Sequence, residues 1–279
     1  GSHWSVIVQR WEAAAIELKR NPTTLKPLSD HARITCLSSL RQWTKEWMNK
    51  PCKELSIKDG RELLLATTAE DLAPATIRKL KTYINLVFRF GIQEGLIEDI
   101  RTSPVHGVPF DLDDGDALPE ILTVDQAKKL LLEAKVRENP WFPIWATALM
   151  TGMRSSELYA LRKENVLIKE GIIRVTESWD WVNDCSKETK AGYWRNAPIA
   201  SALKPVIAEC MVSTDGPFVF PRIAEWTHGE QAQVLREFCE VIGIPSVRFH
   251  TLRACFATHL LAMGVDAGTI MAIGGWSNY

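Results

Sequence analysis

The chain has 279 residues, enough for two domains of ordinary size. Its 46 % hydrophobic and 24 % charged composition is that of an ordinary soluble globular protein. No apolar run approaches the roughly 20 residues that a bilayer span needs, so no membrane partner is expected.

No signal peptide is recognisable, and a cytoplasmic location is expected. Gly1-Ser2-His3 reads as a remnant of tag cleavage, with the natural chain expected to begin further upstream. The six cysteines, Cys36, Cys52, Cys185, Cys210, Cys239 and Cys255, stand singly. Without a CxxC pair they suggest indifferent thiols in a reducing compartment, and neither a metal nor a cofactor is expected. The net charge of −1 argues against indiscriminate nucleic-acid binding, but it is unevenly spread. Residues 1–108 hold 16 basic and 12 acidic residues, a balance of +4, and the remainder is at −5. The first part therefore carries more of any electrostatic footprint.

In chain order, residues 4–106 read as helices. Apolar residues recur at helical spacing over 4–19 (Val6, Ile7, Trp11, Ala14, Ala15, Leu18) and over 31–48 (Ile34, Leu37, Leu40, Trp43, Trp47). Ser56 is a candidate N-cap for a short helix to Leu65, and Ile77, Leu80, Ile84, Val87 and Phe88 mark a helix over 75–90. Short connections suggest a small bundle. The stretch 107–119, with its Gly, Pro and aspartates, reads as a linker. Beyond it, Thr123 and Gln126 have the spacing of a capping box. Residues 141–151 read as a buried helix, broken by Gly152, and Ser155 to Leu161 as the next helix. The alternation over 171–182 predicts a strand, 193–200 its return, and 183–192 a polar hairpin tip. Helices resume at 202, after 231 and over 251–263.

Three residues stand out. Arg154 lies at a helix entrance, where free N–H groups suit a phosphate, although an i,i+3 pair with Glu157 explains it equally. His250 and Arg253, three apart, share a helix face. A guanidinium fork matches phosphate oxygens and stays charged, so two arginines and a histidine suit a phosphodiester whose charge grows in a transition state. A structural histidine beside an exposed arginine is the competing reading. Lys190, in the polar hairpin, is either a mobile proton donor or a solvated turn lysine.

TGMRSSELYAL, TKAGYWRNAPI, HTLRACFATHLLAMGV and IGGWSN, in that order and spacing, resemble the successive boxes of the tyrosine recombinase (phage integrase) family. LTVDQAKKLL resembles the first helix of its catalytic domain. The resemblance implies a mainly α fold with a small antiparallel β-sheet (α+β). A helical, SAM-like core-binding domain would occupy 4–106, a linker 107–119 and a catalytic domain 120–279, truncated at its C-terminus.

The implied function is a site-specific recombinase or integrase of a prophage or mobile element in a bacterial host. It would cut and rejoin DNA through a 3′-phosphotyrosine. Arg154 and Arg253 would clamp the scissile phosphate, His250 would assist, Lys190 would protonate the leaving 5′-hydroxyl, and Glu157 would orient the site. Trp276 stands where the family more often has histidine, and its indole N–H can donate but cannot shuttle a proton. Gly274 stands where leucine is more usual. The implied partner is double-stranded attachment-site DNA, with a tetramer on paired sites, no cofactor and no metal. The family's nucleophilic tyrosine falls about nine residues past the Trp276 position. It is therefore expected beyond Tyr279, and the chain as given is expected to bind DNA without cutting it and to be monomeric alone. Arg41 with Lys45, and Arg78 with Lys81 and Arg89, are candidate DNA contacts on two helices. A type IB topoisomerase and a noncatalytic DNA-binding module, such as a degraded integrase, remain alternatives.

Overall fold

A computed structural model describes residues 1–70, 72–109, 121–189 and 194–276. The chain divides into two compact units, Gly1–Asp116 and Ala117–Tyr279. It is mainly helical with small antiparallel sheets, an α+β fold.

The first unit contains α1 (Trp4–Leu18), α2 (Asp30–Trp43), α3 (Ile57–Ala69) and α4 (Pro74–Gln93). Local chemistry sets their starts. The Ser29 hydroxyl accepts from the Ala32 N–H, Ser56 and Asp59 close a capping box, and Pro74 opens α4, where no N–H is needed. Trp4, Ile7, Trp11, Leu40, Ile77, Ile84 and Phe88 bury their apolar faces together. Two tryptophans can be wholly buried because their N–H groups find hydroxyls. Trp4 Nε1 donates to Thr44 Oγ1 at 2.8 Å and Trp11 Nε1 to Thr23 Oγ1 at 3.2 Å. Each threonine passes its own proton to a carbonyl, of Leu40 and of Leu86 respectively.

Thr44 also explains a departure from the sequence reading. The helix expected over 31–48 stops at Trp43, because Thr44 leaves the helical region (φ −105°, ψ 23°) to serve Trp4. Lys45 then falls on a separate 3-10 turn, Lys45–Trp47, and not on the helix of Arg41. Val6 and Ile34, counted on the apolar stripes, are 37 % and 41 % exposed. The linker does not begin at Gly107: Val108 is buried in the first unit's core, and its carbonyl accepts from Lys81 Nζ at 2.6 Å. Residues 110–119 of that stretch lie outside the described residues.

The second unit opens with α5 (Val124–Val136), whose Thr123–Gln126 capping box forms, then α6 (Phe142–Thr151) and α7 (Ser155–Tyr159). Five strands follow: β1 (Val166–Leu167), β2 (Ile172–Val175), β3 (Glu177–Asp180), β4 (Cys185–Glu188) and β5 (Arg195–Pro198). Then come α8 (Lys204–Ser213), α9 (Ala224–Thr227), α10 (Gln231–Val241), α11 (Phe249–Ala262) and α12 (Ala267–Gly274). Helix α6 is apolar nearly all round and runs through the core against α5, α8 and α11. Its Thr147 and Thr151 bury their hydroxyls by bonding back to the Pro143 and Thr147 carbonyls.

The expected single hairpin is two ladders. β2 lies between β1 and β5, while β3 pairs only with β4. Val175 pairs with Arg195 and Glu177 with Glu188, so one residue separates the outgoing pairs and six the returning ones. Cys185–Glu188, expected in a polar tip, is strand, and the turn lies at Trp181–Asp184. Trp179 on β3 and Trp181 in the turn after it both pack their rings on Tyr159, at 5.0 and 4.6 Å between centroids. That packing, invisible in local pattern, holds the extra hairpin on α7.

Replacing Thr44 with valine should lower the stability of the first unit by about 1–3 kcal/mol, the penalty for a buried donor left unpaired. Urea unfolding measures this, and Thr44→Ser, which keeps the hydroxyl, should lose much less.

Candidate functional site

Arg253 lies one turn into α11 and is 2 % exposed. Its Nη1 donates to the Gly152 carbonyl at the end of α6. Gly152 has φ +65°, and a Cβ there would come within 2.5 Å of the Phe256 ring, so the turn that presents this carbonyl requires glycine. Nε and Nη2 of Arg253 are buried and have no hydrogen-bond partner among the described residues. One face of the guanidinium is covered by Trp276, whose ring centroid lies 3.8 Å from the guanidinium carbon.

Glu157 sits beside this group, 2 % exposed. Its Oε2 accepts the Arg154 backbone N–H at 2.8 Å, and its Oε1 accepts Arg154 Nη1 at 2.8 Å. Thus the i,i+3 pair forms, and the Arg154 N–H is not free for a phosphate as expected for a helix entrance. The Arg154 side chain nevertheless remains 44 % exposed, and its Nη2 reaches the Gly275 carbonyl at 3.2 Å.

Arg195, not singled out from sequence, is the second partner of Glu157. Its Nη1 and Nη2 meet Oε1 and Oε2 at 2.9 and 2.7 Å, and its Nε donates to the Ile273 carbonyl at 2.8 Å. A signal was present: on β5, Arg195 shares a face with fully buried Ala197, and an inward-facing arginine needs an acid.

The charges act on one another. Burial alone would raise the Glu157 carboxyl, but the Arg195 hydrogen bonds and charge, then those of Arg154, hold it below its usual value. Burial, then the Arg154 charge, pushes Arg253 down to about 9, still protonated at neutral pH. His250 is exposed and its ring makes no hydrogen bond among the described residues; partial desolvation, then the charges of Arg253 and Arg154, lower it below its ordinary 6.5. Arg154, His250 and Arg253 therefore share one strongly cationic field, with Glu157 as its counter-charge.

Gly274 has a local explanation. A Cβ there would fall inside the Trp276 ring, so only glycine lets the indole fold back over α12 and onto Arg253. Gly275 then takes φ +68° and brings the backbone against Arg195.

Lys190 and Tyr279 lie outside the described residues. Tyr159 is not available to this site: it is buried among Trp179, Trp181 and Trp226, with Arg222 over its ring at 3.8 Å. In the first unit, Arg41 is exposed but paired with Glu12 at 2.5 Å, and Lys45 is exposed. Arg78 and Arg89, three turns apart on α4, are exposed on one face. Lys81 lies nearer the buried face and holds the Val108 carbonyl. Among the described residues, no cluster of three or more His, Cys, Asp or Glu could hold a metal ion, and no helix is long and apolar enough to cross a membrane.

Residues 120–279 match the sequence profile of the Phage integrase family. Tyrosine recombinase XerC of Erythrobacter litoralis is 26 % identical over 227 residues, 76 % of this chain and 68 % of that protein. The Tn1549 transposon integrase, solved in complex with a circular intermediate DNA, has a similar fold: TM-score 0.77 at 19 % identity, covering 97 % of this chain and 92 % of that one. A lambda integrase dimer bound to a COC′ core site is similar at TM-score 0.77 and 15 % identity, over 99 % of this chain and 96 % of that one.

Three measurements check the site. The His250 ring should titrate below 6.5 by NMR, and its midpoint should rise in Arg154→Gln, which removes a repelling charge. Since the unfolded chain protonates this ring first as pH falls, His250 works against folding below its ordinary value, and His250→Gln should reduce that acid loss. Gly274→Leu should displace Trp276 from Arg253. The Trp276 indole N–H resonance, assigned with Trp276→Phe, should then shift; an unchanged resonance would show that Gly274 does not control the stacking.

Proposed function

The chain belongs to the phage integrase family, and we propose that it is a site-specific DNA recombinase working through a 3′-phosphotyrosine. The observation that carries this reading is the pair of buried, unpartnered donors on Arg253. A buried donor without an acceptor costs about 1–3 kcal/mol, which an anion removes when it binds. Nε and Nη2 lie in the guanidinium plane, as a fork on two phosphate oxygens requires, and Trp276 packs on the guanidinium face.

In the proposed reaction a tyrosine oxygen attacks phosphorus. The phosphorus bond to the 5′ oxygen breaks, and the 3′ end stays joined to the protein. Arg253 and the exposed part of Arg154 neutralise the charge that grows on the non-bridging oxygens. His250, mostly neutral near pH 7, takes the proton that the attacking tyrosine hydroxyl gives up. Lys190 protonates the departing 5′-hydroxyl. Trp276 donates its indole N–H to the phosphate after turning from its place on Arg253. Glu157 touches no substrate and orients Arg154. Reversal of the same steps rejoins a new strand, and the ester conserved in the adduct supplies the bond energy. The nucleophile lies outside the described residues.

The first unit, as a core-binding domain, holds the duplex. Arg78, Arg89 and Lys45 are its phosphate contacts; Arg41 exchanges Glu12 for phosphate, and Lys81 contributes mainly through Val108. The natural substrate is paired attachment sites of a prophage or other mobile element, on which four copies assemble.

In a chain that carries the nucleophilic tyrosine, nicked attachment-site DNA should yield a covalent adduct. Arg154→Ala and Arg253→Ala should each slow its formation by about 10²–10³-fold, as loss of a transition-state donor does. An adduct that forms at the normal rate in Arg154→Ala would overturn the mechanism. Arg89→Ala should weaken duplex binding and reduce the slope of log affinity against log salt by about one; an unchanged slope removes Arg89 from the interface.

A further inference from the structure

Two arginines, Arg253 buried and Arg195 nearly so, lie beside the same glutamate, and they differ in one respect. Arg253 has two nitrogens with no acceptor. Arg195, 9 % exposed at its side chain, has all three nitrogens bonded within the protein. The first has donors still to be met; the second already commits every nitrogen to a partner within the protein.

The partners of Arg195 come from separate parts of the unit. Its Nη1 and Nη2 hold Glu157 on α7, and Glu157 in turn holds both the backbone and the side chain of Arg154. Its Nε holds the Ile273 carbonyl, which lies in the last turn of α12 and has no intrahelical partner to spare. Arg154 Nη2 holds Gly275, the next residue but one. The chain immediately after carries Trp276, stacked on Arg253. Arg195 thus joins the end of α12 and the Glu157 carboxylate in one rigid fork, from a strand that is itself locked by pairing with β2.

We propose that Arg195 is a positioning residue of the phosphate clamp. It fixes Glu157, and through Glu157 it sets Arg154, while tying the Trp276 segment to the same point. The inference rests on the reading of Arg154 and Arg253 as that clamp. A planar fork is essential to it, because a lysine has one nitrogen and cannot span two carboxylate oxygens and a carbonyl together.

A double-mutant cycle on the full chain, with a short DNA duplex as probe, tests the assignment. If Arg195 acts through Arg154, Arg195→Lys should weaken binding to about the same extent as Arg154→Ala, by about tenfold, and the double variant should lose no more than either alone. Losses that multiply would overturn the proposal, as would Arg195→Lys binding like the parent.

A pH series supplies a readout that a merely architectural ion pair would not move. Glu157 faces Arg154 from its own helix, Arg195 from β5 and the charge of Arg253 from α11. Without Arg195, burial dominates and the carboxyl rises. As pH falls it then protonates and releases Arg154. Arg195→Gln should therefore lose affinity relative to the parent as pH falls, at a higher pH than the parent does. Adding Glu157→Gln should abolish that pH dependence. Its absence from Arg195→Gln counts against the proposal. Thermal unfolding monitors folding of each variant. If Arg195→Gln does not fold, the lysine cycle decides, because it keeps a cation beside Glu157. If Arg154→Ala itself leaves duplex affinity unchanged, the clamp reading fails and this inference fails with it. A clamp that depends on Arg154 but ignores Arg195 sinks the inference alone.

Discussion

The site depends on one buried carboxylate. Glu157 has lost nearly all contact with water, and a charge in that position is tolerable only when paired and fully hydrogen-bonded. Arg195 and Arg154 meet that demand with four bonds from two guanidinium groups and a backbone N–H. Removing either partner would leave a buried carboxylate short of hydrogen bonds, so the geometry of α7, β5 and the end of α12 is set by a common electrostatic need. The carboxylate also reduces repulsion among the clustered cations, which would otherwise oppose folding of this part of the unit.

Arg253 shows the opposite economy. It is as buried as Glu157, yet two of its donors are unmet. Trp276 and the Gly152 carbonyl stabilise the cation, and neither completes its hydrogen bonding. Strain of this kind is tolerated where binding relieves it, which is why an incompletely satisfied arginine is more informative than a satisfied one. Glycines make the arrangement possible. Gly152 turns its carbonyl toward Arg253, and Gly274 makes room for the indole.

Much of the fold was legible because its cues are local. Capping residues at Ser56 and Thr123, Pro74 at a helix start and the unbroken apolar run of α6 each act within a few residues. The errors arose where a distant partner intervened. Thr44 ended α2 early because Trp4, forty residues away, needed an acceptor. The β2–β5 region became two ladders because Trp179 and Trp181 found Tyr159. Lys81, read as a candidate DNA contact, also bonds the Val108 carbonyl.

By itself the sequence determined most of the helices, the order of the boxes that identify the family, and the i,i+3 spacing that offered Glu157 as one of two partners for Arg154. Tertiary structure decided everything that needed two remote segments. It brought Arg195 to Glu157 from another strand, placed Gly152 against Arg253 across 101 positions, and folded Trp276 onto the same guanidinium. Helical and strand periodicities specify which face a side chain takes. They carry no information about which distant charge will face it, because that is settled only when packing removes both from water.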